Sequence, residues 1–454
     1  MKLSALFNDK IFYKSLFTIA IPIMLQNLVN AFVNMVDTVM IGRLGTVEIA
    51  AVGLGNQVFF LYSLTLFGIS SGGSIFTAQF WGKRDIGGIR ANTGFCITLN
   101  LTVALGFTLA VLLAPEGILA IYSRDERVIQ AGARYLKNLA PAFIPFAISQ
   151  VFVLTLRSIE QVRLPMISTV IALSVNVILN YLLIFGFGPI PAMDVAGAAR
   201  ATAVARLVEM IILVSVIYAR KYQLAGSLRQ LLGFKLPFVT RFFQVAFPVI
   251  LNEIIWSSGI SLHNVIFART HTDAIAAYNI TNTLSQLTWV LFIGLGNGVG
   301  VLIGKKIGEG AYAAARDYAA RIIRFAPLLA LGAALLLFPL SRLLPYFFKV
   351  NANVLAHTTV MFFILGCSYP FRAFNMSMVV GICRAGGDTV FCAIYDTLFL
   401  WGAAIPAAAL AGFVFHAPVG VIYLCVVLEE PLKMAVGLWR YRTGKWLHNV
   451  TEGL

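Results

Sequence analysis

The sequence predicts an all-α integral membrane protein with twelve transmembrane helices in two pseudo-symmetric six-helix lobes. Two observations lead to this prediction. The first is composition, because 59% of the 454 residues are hydrophobic, only 12% are charged, and the mean hydropathy is +0.86. A soluble globular domain is typically about 25% charged. The second is an internal repeat, since the second half of the chain repeats the first in one register.

Apolar segments long enough to cross a bilayer, roughly 20 residues each, recur along the whole chain. Their apolar runs are unbroken, which favours helices over the alternating strands of a membrane barrel. The loops between them are short and leave no room for a soluble domain. The predicted spans are 14–40, 48–77, 91–114, 128–154, 164–187, 195–219, 240–267, 275–303, 317–338, 354–381, 390–413 and 419–439.

The net charge of +15 follows the predicted topology. If the amino terminus is cytoplasmic, 23 of the 34 Lys and Arg residues fall in inner segments and nine in outer loops. This positive-inside bias predicts that both termini are cytoplasmic. We therefore expect a multi-pass protein of a bacterial cell membrane, and the basic charge does not indicate nucleic-acid binding.

Motifs for catalysis, cofactors or structural metals are absent from the sequence. The five cysteines show no paired spacing, the five histidines form no metal-binding pattern, and no nucleophile or nucleotide-binding motif is present. The glycine-rich stretch GLGNGVG at 294–300 lies inside a span, which favours close helix packing. The first span lacks a signal-peptide cleavage site and is expected to be retained. The sequence therefore indicates a protein that is not an enzyme and needs no cofactor.

The internal repeat aligns the two halves without a gap at a shift of 226 residues. FTIAIPIMLQNLVNAFVNMVDTVMIGRLGT lies over FQVAFPVILNEIIWSSGISLHNVIFARTHT. The matches include residues that membrane composition alone would not align: Pro22 with Pro248, Arg43 with Arg269, and Asn56 with Asn282. Because each repeat has an even number of spans, the lobes should be related by an axis along the membrane normal, with a cavity between them. The predicted parts are an amino-terminal lobe, a cytoplasmic linker and a carboxy-terminal lobe, at 1–219, 220–239 and 240–454.

Polar residues line one face of the first span. Asn27, Asn30, Asn34 and Asp37 follow at spacings of 3, 4 and 3, and Asn176 and Asn180 lie one turn apart in the fifth span. These amides either join helices, at about 0.6 kcal/mol each, or bind an ion or substrate. A carboxylate in an apolar span costs several kcal/mol unless it is solvated, paired or protonated, so Asp37 is a functional candidate by default.

The corresponding face in the second repeat carries different residues. Glu253 takes the place of Asn27, Trp256 and Ile260 follow, and His263 takes the place of Asp37. Glu253 and Trp256 can attract an organic cation by charge and by ring contact. His263 is either a second substrate-cavity residue or a packed, hydrogen-bonded histidine, and the sequence leaves both interpretations open.

Three motifs carry a family resemblance. The stretch IPIMLQNLVNAFVNMVDTVMIGRLGTVEIAAVGLGNQ, the GSIFTAQFWGKRD after it and the later ICRAGGDT together resemble the multidrug and toxin extrusion family. The resemblance covers essentially the whole chain. It implies a two-lobed, cation-coupled antiporter that exports cationic, amphipathic drugs and toxins in exchange for inward Na⁺ or H⁺ by alternating access.

The resemblance also implies roles for individual residues. It places the coupling cation, including a candidate Na⁺ site, at Asp37, Asn176, Asn180 and Thr202. Helix bending is implied at Pro22 and, through the repeat, at Pro248. The candidate substrate-cavity residues are Asn34, Glu253, Trp256 and His263. A carboxylate that sodium-coupled members carry in the tenth helix has no match near 372–375.

Three alternatives compete with this interpretation. A lipid-linked oligosaccharide flippase would need a basic cavity, and the only cations predicted deep in spans are Arg206 and Arg372. A membrane-embedded enzyme would need a nucleophile–base or metal constellation within its spans, and the sequence shows none. A major-facilitator carrier is a third possibility, but the KRD loop after the second span has no matching loop in the second half. The expected partners are small organic cations and the lipid bilayer, with no nucleic acid, and we expect a monomer.

Overall fold

The computed structural model describes residues 9–189, 191–270, 272–341 and 350–454, and this part of the chain is helical without a β-strand. The α-helices are α1 Lys10–Gly42, α2 Thr46–Lys83, α3 Ile86–Leu113, α4 Pro115–Ala120, α5 Glu126–Leu139, α6 Phe143–Ser158, α7 Arg163–Phe185, α8 Asp194–Ala219, α9 Leu228–Leu231, α10 Leu236–Thr270, α11 Thr272–Gly308, α12 Tyr312–Ser341, α13 Ala352–Met376, α14 Thr389–Phe399, α15 Ile405–Ala409, α16 Val419–Val427 and α17 Glu429–Thr443. Wider π-helical turns extend α13 and flank α15, at Ser377–Cys383, Leu400–Ala404 and Leu410–Val414.

The predicted spans correspond to these helices. Among the described residues, eleven helical segments are long and apolar enough to cross a membrane, and each contains one of the first eleven predicted spans or most of it. The helices are often longer than predicted, and polar side chains cap some of their ends. The Asp85 carboxylate, for example, accepts a hydrogen bond from the Gly88 amide at 2.8 Å at the start of α3. The all-α membrane fold is confirmed.

The twelfth predicted span is not one continuous helix. It is divided at Leu428 into α16 and α17, and α17 begins with the sequence EEP. Proline has no amide hydrogen and fits only the first turn of a helix, and the two glutamates favour a helix amino terminus. A new helix therefore starts where hydropathy predicted the middle of a span.

The helices form two compact units. The carboxy-terminal unit comprises Met1–Met24 and Phe247–Gly453, and the amino-terminal unit comprises Leu25–Ala246 together with Leu454. The unit boundaries fall inside α1 and α10, within two residues of Pro22 and Pro248, and both helices are continuous there. The repeat-based lobes and the bending role of the two prolines stay predictions.

The predicted linker contains ordered structure. It holds α9, and α10 begins at Leu236, before the predicted end of the linker. Phe238 and Phe242 at the start of α10 contact the ring of Phe76 on α2, at centroid distances of 5.6 and 5.7 Å. These contacts lie within the amino-terminal unit and fix the start of α10 there.

The glycine-rich stretch of α11 packs closely, as predicted. A Cβ on Gly300 would lie 3.1 Å from the Val380 carbonyl oxygen, and one on Gly296 would lie 3.3 Å from that of Met376. Hydrogen in place of a side chain allows the backbone of α11 to approach that of the tenth span. This contact lies within the carboxy-terminal unit.

Candidate ion-coupling site

Four residues predicted at the coupling site lie together in the amino-terminal unit. Asp37 is on α1, Asn176 and Asn180 are one turn apart on α7, and Thr202 is on α8. The Asn180 amide donates to Asp37 Oδ1 at 2.6 Å and lies 3.3 Å from the side-chain amide of Asn176. The Asn176 amide lies 3.3 Å from Thr202 Oγ1. We call these four residues the Asp37 cluster.

The orientation of the Asn176 side-chain amide determines whether it donates hydrogen bonds to the Asp37 carboxylate. With its nitrogen towards α1, Asn176 donates to both oxygens of Asp37 at 3.3 Å, and its own oxygen accepts from the Thr202 backbone amide at 3.3 Å. Amide orientations are assigned from the hydrogen-bond network, and this one satisfies both ends of the side chain. Asp37 is then held by two neutral amides, and no salt bridge to Asp37 occurs among the described residues.

The Asp37 cluster presents oxygen atoms suited to a hard monovalent cation. Asn180 is 1% exposed, and its Oδ1 has no hydrogen-bond partner among the described residues. A buried acceptor without a protein partner is costly, and an ion or a water molecule can satisfy it. The Asp37 carboxylate, Asn180 Oδ1 and Thr202 Oγ1 are the kind of oxygen ligands that hard cations prefer. Within the described part of the chain, no three His, Cys, Asp or Glu side chains group as a metal site.

A second network in the amino-terminal unit escaped the sequence analysis. Gln26 on α1 donates to Thr169 Oγ1 at 2.6 Å, and Thr169 donates to Glu209 Oε1 at 2.7 Å. Arg206 pairs with the other oxygen of Glu209 at 2.9 Å, and Arg157 donates to Gln26 Oε1. We call these five residues the Gln26 network. Glu209 is 3% exposed, and an ionisable residue inside a span was the signal that could have revealed it.

Glu253 is paired with a cation and is not a lone carboxylate. Its Oε1 accepts a salt bridge from Arg384 at 2.8 Å, and the two side chains are 13% and 7% exposed. Arg384 lies just beyond the end of the tenth predicted span, among the charges predicted to be cytoplasmic, yet it is buried against Glu253. A charge at the end of a span can fold inward to a partner 131 positions away, which hydropathy does not detect.

Further buried charges surround this pair in the carboxy-terminal unit. Lys433 Nζ lies 3.3 Å from Asp396 Oδ1 and 3.2 Å from Glu429 Oε2, which we call the Lys433 triad. Arg372 pairs with Glu430 at 3.2 Å. The sequence signals for this set were the lone acid in CAIYDTLFLW and the EEPLK that follows an apolar run, and neither was recognised.

The side chains of the remaining substrate-cavity candidates make no hydrogen bond within the described part of the chain. Trp256 stacks on Trp289 with ring centroids 6.3 Å apart and an interplanar angle of 14°. His263 is 1% exposed, and neither ring nitrogen has a hydrogen-bond partner in the described structure, so it is packed without the predicted hydrogen bond. Asn34 is exposed on α1, and its carbonyl oxygen accepts from Thr38 at 2.8 Å.

Comparison with known proteins gives consistent matches. A sequence profile of the MatE family matches residues 22–182 and 248–417, which is more than half of the chain. "Probable multidrug resistance protein NorM" of Thermotoga maritima is 26% identical over 443 residues, covering 95% of this chain and 93% of that protein. "Uncharacterized transporter YisQ" of Bacillus subtilis is 22% identical over 445 residues, covering 97% and 96%.

Solved structures show the same fold. "Crystal structure of MATE in the straight conformation" superimposes with a TM-score of 0.87 at 17% identity, covering 95% of this chain and 96% of that one. "Outward-facing conformation of a multidrug resistance MATE family transporter of the MOP superfamily" gives a TM-score of 0.85 at 19% identity, with the same coverage. At these identities the likeness establishes the two-lobed helical fold alone.

Proposed function

The chain belongs to the multidrug and toxin extrusion family, and from this premise we propose that it is a secondary active antiporter. In the proposed reaction, cationic and amphipathic organic compounds leave the cell in exchange for inward Na⁺ or H⁺. Family membership makes the protein a multi-pass membrane transporter related to multidrug resistance proteins. The ion, the substrate class and the exchange are the proposal.

The Asp37 cluster is the observation that carries the proposal. Its carboxylate is held by neutral amides rather than by a cation, and a buried oxygen of Asn180 lacks a partner. A carboxylate in this setting gains most from a bound proton or Na⁺, because no cationic side chain among the described residues lies at salt-bridge distance from it. The geometry therefore supports reversible cation binding more than helix joining.

Cation binding at Asp37 would bias the conformation of the protein. When the carboxylate is ionised, it favours a hydrated arrangement of helices. When it is neutralised by H⁺ or paired with Na⁺, it tolerates a drier arrangement of α1, α7 and α8. An ion shifts the equilibrium between the hydrated and the drier arrangement only if its affinity for the two differs. Export in exchange for the ion follows if the substrate favours the arrangement that the ion disfavours.

The substrate would be recognised by the residues predicted for the cavity. Trp256 and Trp289 present two nearly parallel rings, which support the binding of a flat organic cation. Glu253 is already paired with Arg384, so an organic cation would compete with that guanidinium. We further propose a monomer in the cell membrane with both termini in the cytoplasm.

The flippase alternative is less well supported. It would need cations free to bind a phosphate group, but Arg372, Arg384 and Lys433 each lie at salt-bridge distance from a carboxylate. Arg206, in the amino-terminal unit, is paired with Glu209. Buried cations compensated in this way favour internal ion pairs over an anionic substrate.

The proposal is tested with purified protein in liposomes, with ethidium as the cationic probe. A Na⁺ gradient and a pH gradient are imposed separately, and dye movement against its own gradient is followed by fluorescence. We expect one of the two gradients to drive dye movement, and that gradient identifies the coupling ion. Protein-free liposomes and an ionophore that collapses the gradient are the controls. If neither gradient moves the dye, the antiport proposal is wrong.

A further inference from the structure

The Lys433 triad differs from the other charged pairs of the carboxy-terminal unit. Arg372 and Arg384 each face one carboxylate, whereas the single ammonium of Lys433 lies between two, at 3.3 Å from Asp396 and 3.2 Å from Glu429. The Lys433 residue is 4% exposed, so bulk water does not share in its solvation. Two carboxylates converge on one small positive charge, as they would on a bound metal ion.

Neighbouring groups complete this arrangement. Asn252 donates to Asp396 Oδ2 at 3.1 Å, and the Oδ1 of the same amide is buried and has no hydrogen-bond partner among the described residues. Tyr395 donates to the backbone carbonyl of Lys433 at 2.7 Å, which fixes the helix turn that carries the lysine. The Asn252 amide therefore orients the Asp396 carboxylate, and two carboxylates lie at salt-bridge distance from the ammonium.

We propose that Lys433 is a built-in monovalent cation, which occupies a site that would otherwise bind a free one. An ammonium group carries the charge of Na⁺ but is tethered to α17, so it cannot be exchanged across the membrane. A second cation beside it would be repelled at close range in a poorly solvated setting. The oxygens of the site come from Asp396 and Glu429, and Asn252 holds the Asp396 carboxylate in place.

The role of Lys433 in transport rests on the proposed ion coupling, which it deepens. The occupation of the site by the ammonium does not depend on that coupling. If Lys433 permanently fills the carboxy-terminal site, the exchangeable ion binds in the amino-terminal unit alone. Lys433 then determines how many ions the protein can carry, although it never contacts the transported ion.

The test measures Na⁺ binding in protein that lacks Asp37. Every variant carries Asp37→Asn, so the result does not depend on whether the amino-terminal unit binds an ion. Isothermal titration with NaCl at pH 8 compares this background with the same protein carrying Lys433→Ala. We expect the added substitution to create Na⁺ binding at least about tenfold tighter than in the background, because the competing ammonium is gone. A further Asp396→Asn should abolish the gain.

Two controls distinguish a specific site from a general change in charge. Lys137 is an exposed lysine that pairs with Glu116 at 3.7 Å, so Lys137→Ala should create no Na⁺ binding. Methylammonium, which resembles the end of the lysine side chain, should raise the thermal stability of the Lys433→Ala protein but not of its Asp396→Asn derivative.

The possible outcomes separate clearly. Na⁺ binding that appears with Lys433→Ala and disappears with Asp396→Asn supports the proposal. Folded Lys433→Ala protein that binds no Na⁺ overturns it. The proposal also predicts that a free cation can replace the tethered ammonium. It is therefore overturned if neither Lys433→Ala nor the bulkier Lys433→Met can be recovered folded in Na⁺ or in methylammonium.

Discussion

In each unit a side chain four residues after a helix proline joins a buried polar network, but the two networks carry different charge. Gln26 connects to one acid, Glu209, while Asn252 connects to Asp396 and so to the Lys433 triad. Both networks join the first, fifth and sixth spans of their repeat. The two repeats therefore place a polar network at the same position but build it from different charged residues.

The second difference lies further along the same helices. Asp37 on α1 is held by amides, whereas its counterpart His263 on α10 is buried with neither nitrogen hydrogen-bonded among the described residues. In the carboxy-terminal unit the acids of the described networks face cations. The comparison teaches that a charge can be structural or exchangeable according to its partner. Removing the partner of a carboxylate paired with Arg or Lys would leave a buried charge uncompensated, whereas we propose that the amide-held carboxylate of Asp37 exchanges a cation.

The largest loss of stability is expected in the carboxy-terminal unit. Arg384→Ala would leave the Glu253 carboxylate buried without its partner, which typically costs about 3–5 kcal/mol. The free energy of unfolding in detergent measures this loss, and a double variant with Glu253→Gln should recover much of it. Arg127→Ala breaks an exposed pair with Asp125 and is the matched control, with no measurable change expected. An Arg384→Ala protein as stable as the control would show that the pair is not structural.

A smaller loss is expected in the Gln26 network. Glu209→Gln keeps an oxygen for Thr169 but removes the charge that Arg206 contacts, and hydrogen bonds to charged groups contribute about 1.5–3 kcal/mol. The Arg206 guanidinium is 20% exposed and lies 4.9 Å from the ring centre of Phe146, so it stays partly solvated without its partner. The same unfolding measurement should place this variant between Arg384→Ala and wild type. A loss equal to that of Arg384→Ala would remove the distinction between the two networks.

Physical reasoning from the sequence predicted the helices and the polar faces of α1 and α7, whereas only the family resemblance grouped Asp37 with Asn176, Asn180 and Thr202. Unbroken apolar runs of membrane length can only be helical in lipid, and the i, i+4 spacing of Asn176 and Asn180 places both amides on one face. The twelfth predicted span is interrupted at Leu428 because the sequence EEP favours a helix start at Glu429, a local feature that hydropathy does not detect.

The ion pairs could not be predicted in the same way. Lys433 and Arg384 lie near predicted span ends, where the positive-inside rule assigns Lys and Arg to the cytoplasmic surface. Whether such a side chain points to water or folds onto a distant carboxylate depends on tertiary packing. The partners of Arg384 and Lys433 on other spans are Glu253 and Asp396, far away in the chain.

The central claim is that Asp37 is the exchangeable charge, and one variant tests it most directly. Asp37→Asn keeps the size of the side chain and its ability to hydrogen-bond, so the smallest change in unfolding free energy of the three variants is expected. In liposomes under the gradient that drives wild-type exchange, the account predicts that dye export by this variant falls to the level of protein-free vesicles, because no group at the site can change its ionic state. Export by Asp37→Asn at the wild-type rate would contradict the account and leave Asp37 as a residue that only joins helices.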